Sequence, residues 1–408
     1  MATGTAERSG AIARARVLDA QGGFGAPQRL SWADGLFEAG TGADSDRQGS
    51  PLWVTPGFVD AHAHLAWHAF DEADRARLGE AETRDETAAA LARNLAAGFT
   101  SVRDAGGLVP GDVRGTDCGT LPRVQCSVRM LGRAEADAAG GLHRAVEQVL
   151  AEGAQWVKLV ATASVASPAG AGLEPVFAPD EVRGAVRLAT ASGAGVMVHA
   201  WGGAAIDDAI EAGAASIEHG IFLTDAQARR AADRGLVLVP TLRIYRQVQQ
   251  MIRQGSLPEA FRRRVDEAVA QHPRAVLRAR DAGLALAVGT DSGTPEQHGS
   301  GAHEIAALIG AGLTPAEALL AATRGGAELL ARVEHGGSEA GSAIPGAAAP
   351  PAGAPGTIAP GAVADAVVFD RDPREPGVLT DPDRIVAVVL DGRTIAFDQT
   401  DPTRKDQR

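Results

Sequence analysis

The feature that most restricts this chain is an alternation that begins near Val54. Short apolar runs follow one another, each separated from the next by a segment of helical character. The runs are residues 57–59, 100–103, 124–130, 156–161, 195–199, 215–218, 236–242 and 284–289. A strand open to solvent on one face alternates apolar and polar residues, whereas a continuously apolar one is buried on both faces, as in a parallel sheet. Between the runs, residues 86–97, 142–152, 179–192, 204–212, 225–234 and 258–282 read as helices. Two of these end at a glycine suited to cap a helix, Gly98 and Gly213. Eight strands interleaved with helices predict an α/β fold, a distorted (β/α)8 TIM-like barrel, rather than an open sheet.

The flanks have another texture. After the eighth run come helices near 303–310 and 315–330, the second opened by Thr314-Pro315 with proline at the first helical position. Residues 336–355 are rich in Gly, Ala, Pro and Ser and predict a flexible insertion. Strand-like runs occur at 11–18, 364–369 and 385–390, the last followed by an Asp391-Gly392 turn. Short strands at both chain ends predict one small composite β-sandwich from residues 1–55 plus 356–400, against a barrel of residues 56–335.

Composition excludes some functions. A formal net charge of −12 disfavours a nucleic-acid partner, which selects a basic face. No apolar run is long enough to span a bilayer, and the N-terminal stretch lacks the apolar core of a secretion signal. Cys118 and Cys126 form neither a CxxC nor a zinc-knuckle spacing and read as reduced thiols. A cytoplasmic protein with a small-molecule or peptide substrate is expected, with neither nucleic acid nor membrane as partner; a homo-oligomer is left open.

Polar residues at the strand ends carry the chemistry. Pro56 to His64 read PGFVDAHAH, and alternation along a strand puts His62 and His64 on one face. Two imidazoles aimed alike from a barrel's C-terminal rim can grip one metal ion. His199 ends the run VMVHA, His219 ends SIEHG, Asp291 ends AVGTD, and Lys158 lies inside WVKLVA. Burying any of these without a partner costs several kcal/mol, on the order of magnitude known for uncompensated charges, and one shared cation would satisfy all six.

These residues resemble the amidohydrolase superfamily. The similarity runs from PGFVDAHAH through His199, His219 and Asp291 into TDSGTPEQHGSGAHEIAALIGAGLTPAEALLAATRGGAELL and GTIAPGAVADAVVFDRDP. TSVRDAGG, WVKLVATAS, GVMVHAWG and PTLRIY look most like the imidazolonepropionase-like and metal-dependent prolidase-like branch. The resemblance implies that His62 and His64, with Asp291, hold the more buried metal and that His199 and His219 hold a second. It implies that Lys158 is carboxylated and bridges the two. Zn2+ suits imidazole and carboxylate donors, as one or two ions, with other divalent metals as alternatives. Asp291 would move the proton from water to the leaving amine, and Tyr245 would hydrogen-bond the substrate carbonyl. The implied reaction is hydrolysis of an amide bond in a peptide, an N-acyl amino acid or a modified peptide, natural-product maturation included. The alternative is hydrolysis of a cyclic amide or deamination of a heterocycle; the remaining one is an inactive barrel that only binds.

Other residues carry weaker expectations. His68, Arg243 and His298 are candidate substrate-binding groups, with Arg246 and His303 beside them. Arg103 and Asp104 are expected to form an ion pair, and His143, His272 and His335 to face solvent. Prolidase-like relatives often carry a Gly-Gly-His segment after strand three that helps bind the substrate carboxylate. This chain reads SVRMLGRAEADAAGG there, leaving Arg129 or Arg133 as substitutes.

Overall fold

The computed structural model describes residues 8–40, 49–69, 72–111, 121–165, 167, 172–333 and 356–396. The expected insertion at 336–355, His335 and Cys118 lie outside these residues.

With strands numbered in chain order, four short ones come first: β1 (Gly10–Val17), β2 (Gln28–Ala33), β3 (Leu36–Phe37) and β4 (Leu52–Pro56). Gly57 alone separates β4 from the first barrel strand, β5 (Phe58–Ala63). The barrel continues through β6 (Phe99–Asp104), β7 (Arg123–Cys126), β8 (Met130–Leu131), β9 (Trp156–Val160), β10 (Gly195–Ala200), β11 (Ser216–His219), β12 (Val237–Val239) and β13 (Ala285–Leu286). Neighbouring barrel strands pair in parallel. The ladder is interrupted, giving a three-stranded piece, β5-β6-β7, and a six-stranded piece, β8 to β13. Backbone bonds close the ring between first and last strands: Ala61 N–H to Val288 O (2.8 Å), Asp291 N–H to His62 O (2.7 Å) and His64 N–H to Ser292 O (2.8 Å). On the other side, Gln155 N–H donates to Cys126 O at 3.0 Å. The result is a distorted (β/α)8 barrel.

The distortion alters three expected strands. Run 124–130 is two strands, because Val128 sits at φ 64, a left-handed conformation in which a β-branched residue breaks the ladder. Run 236–242 is paired only over Val237–Val239; the chain turns at Thr241 (φ 55) into a helix, Leu242–Arg253, that the sequence reading missed. Run 284–289 is laddered only at Ala285–Leu286 before its backbone bonds pass to β5.

The helices Leu142–Ala151, Pro179–Ala191, Ala204–Ala212, Asp225–Asp233 and Arg262–Asp281 lie close to their expected places. The first long helix starts earlier than expected, at Glu80, because Gly79 N–H is capped by Glu82 Oε2 at 3.0 Å. Val157, Leu159, Val196, Val198, Ile217 and Leu238 project outward onto Ala185, Ala189, Ile206 and Ile210 of this helical layer. Trp156, Met197 and Val237, one residue out of phase, fill the barrel interior with Val59 and Ala287. Each large aliphatic side chain buried this way contributes about 2 kcal/mol.

The C-terminal strands β14 (Ala366–Phe369), β15 (Ile385–Leu390) and β16 (Arg393–Ala396) join the N-terminal ones in a seven-stranded sheet of order β16-β15-β14-β4-β1-β2-β3. Its β3 edge curls back: Phe37 N–H bonds Ala362 O at 2.9 Å and Ala364 N–H bonds Gly35 O at 2.8 Å. The fold encloses Leu30, Trp32, Phe37, Val54, Val368 and Val389 in a core of their own. Asp391 and Gly392, at φ 51 and 75, make the two-residue turn between β15 and β16. Among the described residues, no helix is long and apolar enough to cross a membrane.

Candidate metal centre

His62, near the end of β5, and His64, one residue beyond it, turn their Nε2 atoms toward one oxygen. Asp291 Oδ1 lies 3.4 Å from His62 Nε2 and 3.3 Å from His64 Nε2. The other ring nitrogens are occupied: His62 Nδ1 lies 2.5 Å from Glu218 Oε2 and His64 Nδ1 lies 2.9 Å from Gly106 O. An acceptor on Nδ1 keeps the proton there and leaves a lone pair on Nε2. Lone pairs from two imidazoles converging on a carboxylate repel one another unless a cation stands among them, so these donors fit a metal ion. Among the described residues, His62, His64 and Asp291 form a group whose ligating atoms all lie within 4.8 Å of one another.

The other predicted ligands line the same end of the barrel. Lys158 Nζ is 3.2 Å from His62 Nε2. The His219 ring centroid is 5.1 Å from that of His62 and 4.5 Å from that of His199. Burial pushes His199 down to about 3 and His219 well below the usual imidazole value, so both are neutral lone-pair donors. Burial also pushes the Lys158 amine down to about 8. Burial opposes ionisation of Asp291, yet the neighbouring histidines outweigh it and hold the carboxyl well below the usual range.

The backbone is strained where it delivers these groups. His219 (φ 71), the last residue of β11, and Thr241 (φ 55) and Asp291 (φ 54), beyond the ends of β12 and β13, sit in the left-handed region. Such residues cost roughly 1–3 kcal/mol each and cluster at functional sites. Two side chains brace His219: Thr241 Oγ1 lies 2.8 Å from its Nδ1, and His272 Nε2 lies 2.8 Å from its carbonyl oxygen. This corrects the expectation that His272 faces solvent; it is 1% exposed. It lies on the buried face of helix Arg262–Asp281 with Val265, Ala268, Val276 and Ala279, at helical spacing. His143 is exposed, as expected.

The sequence reading also missed Glu218. It is fully buried and bridges His62 to Arg103, whose Nη2 lies 3.0 Å from Glu218 Oε1. Arg103 Nη1 donates to Ser216 Oγ at 3.0 Å, Nε donates to Ala61 O at 2.6 Å, and the guanidinium lies 4.5 Å from the Trp156 ring centroid. Burial opposes ionisation of Glu218, and Arg103 reverses it, leaving a pKa of about 2. The expected Arg103–Asp104 pair is therefore wrong. Asp104 instead accepts backbone N–H bonds from Leu65 and Gly106 at 2.8 and 2.9 Å, shaping the loop that presents Gly106 O to His64. The sequence did hold a signal: Glu218 and Ser216 are polar, share one face of a barrel strand, and need a buried partner.

Tyr245 is carried by helix Leu242–Arg253, is 3% exposed, and has its ring centroid 5.9 Å from that of His219. Glu304 accepts from the N–H groups of Leu242 and Arg243 at 2.7 and 2.8 Å, fixing the start of that helix. His298 is 5% exposed, and neither ring nitrogen finds a hydrogen-bond partner among the described residues; the same holds for His68 Nε2. Arg243 is half-buried and bonds Ser300. Neither proposed substitute for the missing carboxylate-binding histidine is free for that role, since Arg129 pairs with Glu152 and Arg133 with Glu181.

Residues 53–341 match the family described as the Amidohydrolase family. An uncharacterized protein of Mycobacterium tuberculosis is 33% identical over 389 residues, covering 91% of this chain and 94% of that protein. A prolidase crystallised with N-methylphosphonate-L-proline superposes with a TM-score of 0.80 at 25% identity, covering 95% of this chain and 99% of that one. Ochratoxinase of Aspergillus niger is 29% identical over 189 residues, 46% of this chain and 38% of that protein. Its crystal structure superposes with a TM-score of 0.79 at 21% identity, covering 95% of this chain and 96% of that one.

Proposed function

This chain belongs to the amidohydrolase family, and from that premise we propose that it is a metal-dependent hydrolase of amide bonds. The observation that carries the reading is the convergence of His62 Nε2 and His64 Nε2 on Asp291 Oδ1, with both Nδ1 atoms committed elsewhere. That a prolidase and an ochratoxinase share the fold supports an acyl–nitrogen bond as the target, in a peptide, an N-acyl amino acid or a modified peptide, natural products included.

His62, His64 and Asp291 would hold one divalent ion, zinc by the chemistry of the donors. His199 and His219 would hold a second, with Lys158 as a bridging carbamate. When bound, such ions act as Lewis acids on the scissile carbonyl and lower the pKa of the attacking water. The chain's own residues supply the rest. Asp291, 20% exposed in its side chain, takes the proton from water and passes it to the leaving amine. Tyr245 keeps its proton, because burial raises its pKa well above 10, and so remains a donor to the oxygen that gains charge. Arg243, His68 and His298 bind the remainder of the substrate. His298, buried and without a hydrogen-bond partner among the described residues, is ready to bond a substrate polar group.

The test is metal analysis of the purified protein alongside hydrolysis of a panel of N-acyl amino acids and dipeptides. One to two equivalents of zinc, and loss of hydrolysis in Asp291→Asn with the fold retained, are expected. Full activity in metal-free Asp291→Asn protein would overturn the reading.

A further inference from the structure

Trp67 has no part in the chemistry described so far, yet its ring lies stacked on that of a proposed ligand, His64. After His64 the chain folds back, Trp67 N–H bonding His64 O at 3.2 Å. This turn lays the indole on the imidazole, with ring centroids 3.8 Å apart and planes 13° from parallel. Arg75 lies against the same indole, its Cζ 4.2 Å from the ring centroid, and its Nη1 donates to Ala69 O at 3.1 Å. A guanidinium over an indole face is an attractive pairing.

The surrounding backbone makes room for that indole and nothing larger. A Cβ on Gly107 would fall 2.9 Å from Trp67 Cδ1, and one on Gly293 would fall 3.0 Å from Trp67 Cε3. Gly107 also has φ 117, a conformation that side-chain-bearing residues rarely adopt. These glycines come from different parts of the barrel rim, one after β6 and the other two residues beyond Asp291.

The geometry points to Trp67 as a positioning residue for His64. Gly106 O holds the His64 ring at one atom, which leaves the ring free to tilt about that bond. The indole plane removes that tilt, and Arg75 and the glycine slot hold the indole. His62 is held differently, its Nδ1 on the buried, charged carboxylate of Glu218 and its ring beside that of His219. A ligand whose orientation is set before the ion arrives binds it more tightly, and loss of such support typically costs about 10- to 100-fold in metal affinity. The inference rests on the metal-binding reading above, and it adds that Trp67 emission reports occupancy of the His64 position.

The experiment is a Zn2+ titration of chelator-stripped protein, with bound metal counted by equilibrium dialysis and tryptophan emission read in the same samples. Wild-type protein should bind zinc and change its emission as it does so. Trp67→Leu should bind about 10- to 100-fold more weakly, and Trp67→Phe should recover most of the affinity. Both variants should lose the emission change, while Trp53→Phe keeps it. If Trp67→Leu does not fold, Arg75→Gln serves in its place, with affinity reduced severalfold. No zinc uptake by the wild type would overturn the metal-binding reading and this inference with it. Normal uptake by both Trp67→Leu and Arg75→Gln would overturn this inference alone. So would an emission change that survives in Trp67→Phe and vanishes in Trp201→Phe.

Discussion

His62 Nδ1 lies 2.5 Å from Glu218 Oε2, and the other oxygen of that carboxylate lies 3.0 Å from Arg103 Nη2. One buried side chain thus sets the tautomer of a proposed metal ligand and neutralises the guanidinium inside the barrel. Glu218→Gln keeps the volume and removes the charge. Stability should fall by about 3–5 kcal/mol, because Arg103 is left as an uncompensated buried cation. Zinc affinity should fall about 10- to 100-fold. Urea unfolding and equilibrium dialysis measure the two effects; an unchanged urea midpoint would show that Arg103 does not depend on this carboxylate.

Tyr245→Phe removes only the hydroxyl. The ring is packed between Trp201 and His272, at centroid distances of 5.3 Å each, and stays in place in this variant. A donor aimed at the developing oxyanion should cost roughly 10²-fold in kcat when lost, with KM little changed. Steady-state kinetics on the best substrate of the panel decide it, and a change confined to KM would assign Tyr245 to binding alone.

His272 makes stability depend on pH. Burial lowers its pKa from the usual 6.5 to about 4. The unfolded chain therefore takes up a proton at this position before the folded one does. The contribution is fully present above the unfolded value and is lost as pH falls toward the folded one, by about 3 kcal/mol in all. His272→Gln retains a donor for His219 O and does not titrate. Urea midpoints for the two proteins, taken between pH 7 and 4, should diverge toward acid, with the wild type falling further; parallel curves would contradict a neutral buried His272.

Lys158 separates one ion from two. As a bridging carbamate it would make reconstitution of the metal-free protein faster with added bicarbonate. Lys158→Ala should then hold one fewer zinc per chain, and acetate should partly restore activity by filling the vacated space. Titration that saturates at one ion, with an unmodified lysine in the electron density of the zinc-loaded protein, would replace the binuclear centre with a single-metal one.

The barrel was legible because its strands are buried on both faces and so read as mainly apolar runs. The proposed ligands were legible for the complementary reason: His199, His219 and Asp291 are polar residues at the ends of such runs. What escaped was detail that depends on the third dimension. Val128 looks like any strand valine, and only its left-handed backbone splits the third strand. PTLRIY looked like the tail of a strand, although Leu242, Tyr245, Val248 and Ile252 already follow a helical period. His272 was read by the polarity of its helix as a whole and not by its face. Glu218 was hidden by its neighbour, since His219 accounted for the polar end of that strand.

The composite sheet bears on the order in which the molecule is made. β4 runs through Gly57 into the strand that carries His62, and it has β1 on one side and β14 on the other. Gly57 N–H is held by Asp365 O at 3.0 Å. A nascent chain that has just released Asp291 from the ribosome therefore already contains all six proposed ligands. Its β4 still has an open edge until residues 366–369 emerge. Open edges are where unfinished chains pair with one another. The interval between Asp291 and β14 is thus the window in which translation speed and chaperone access would most affect the yield of active protein.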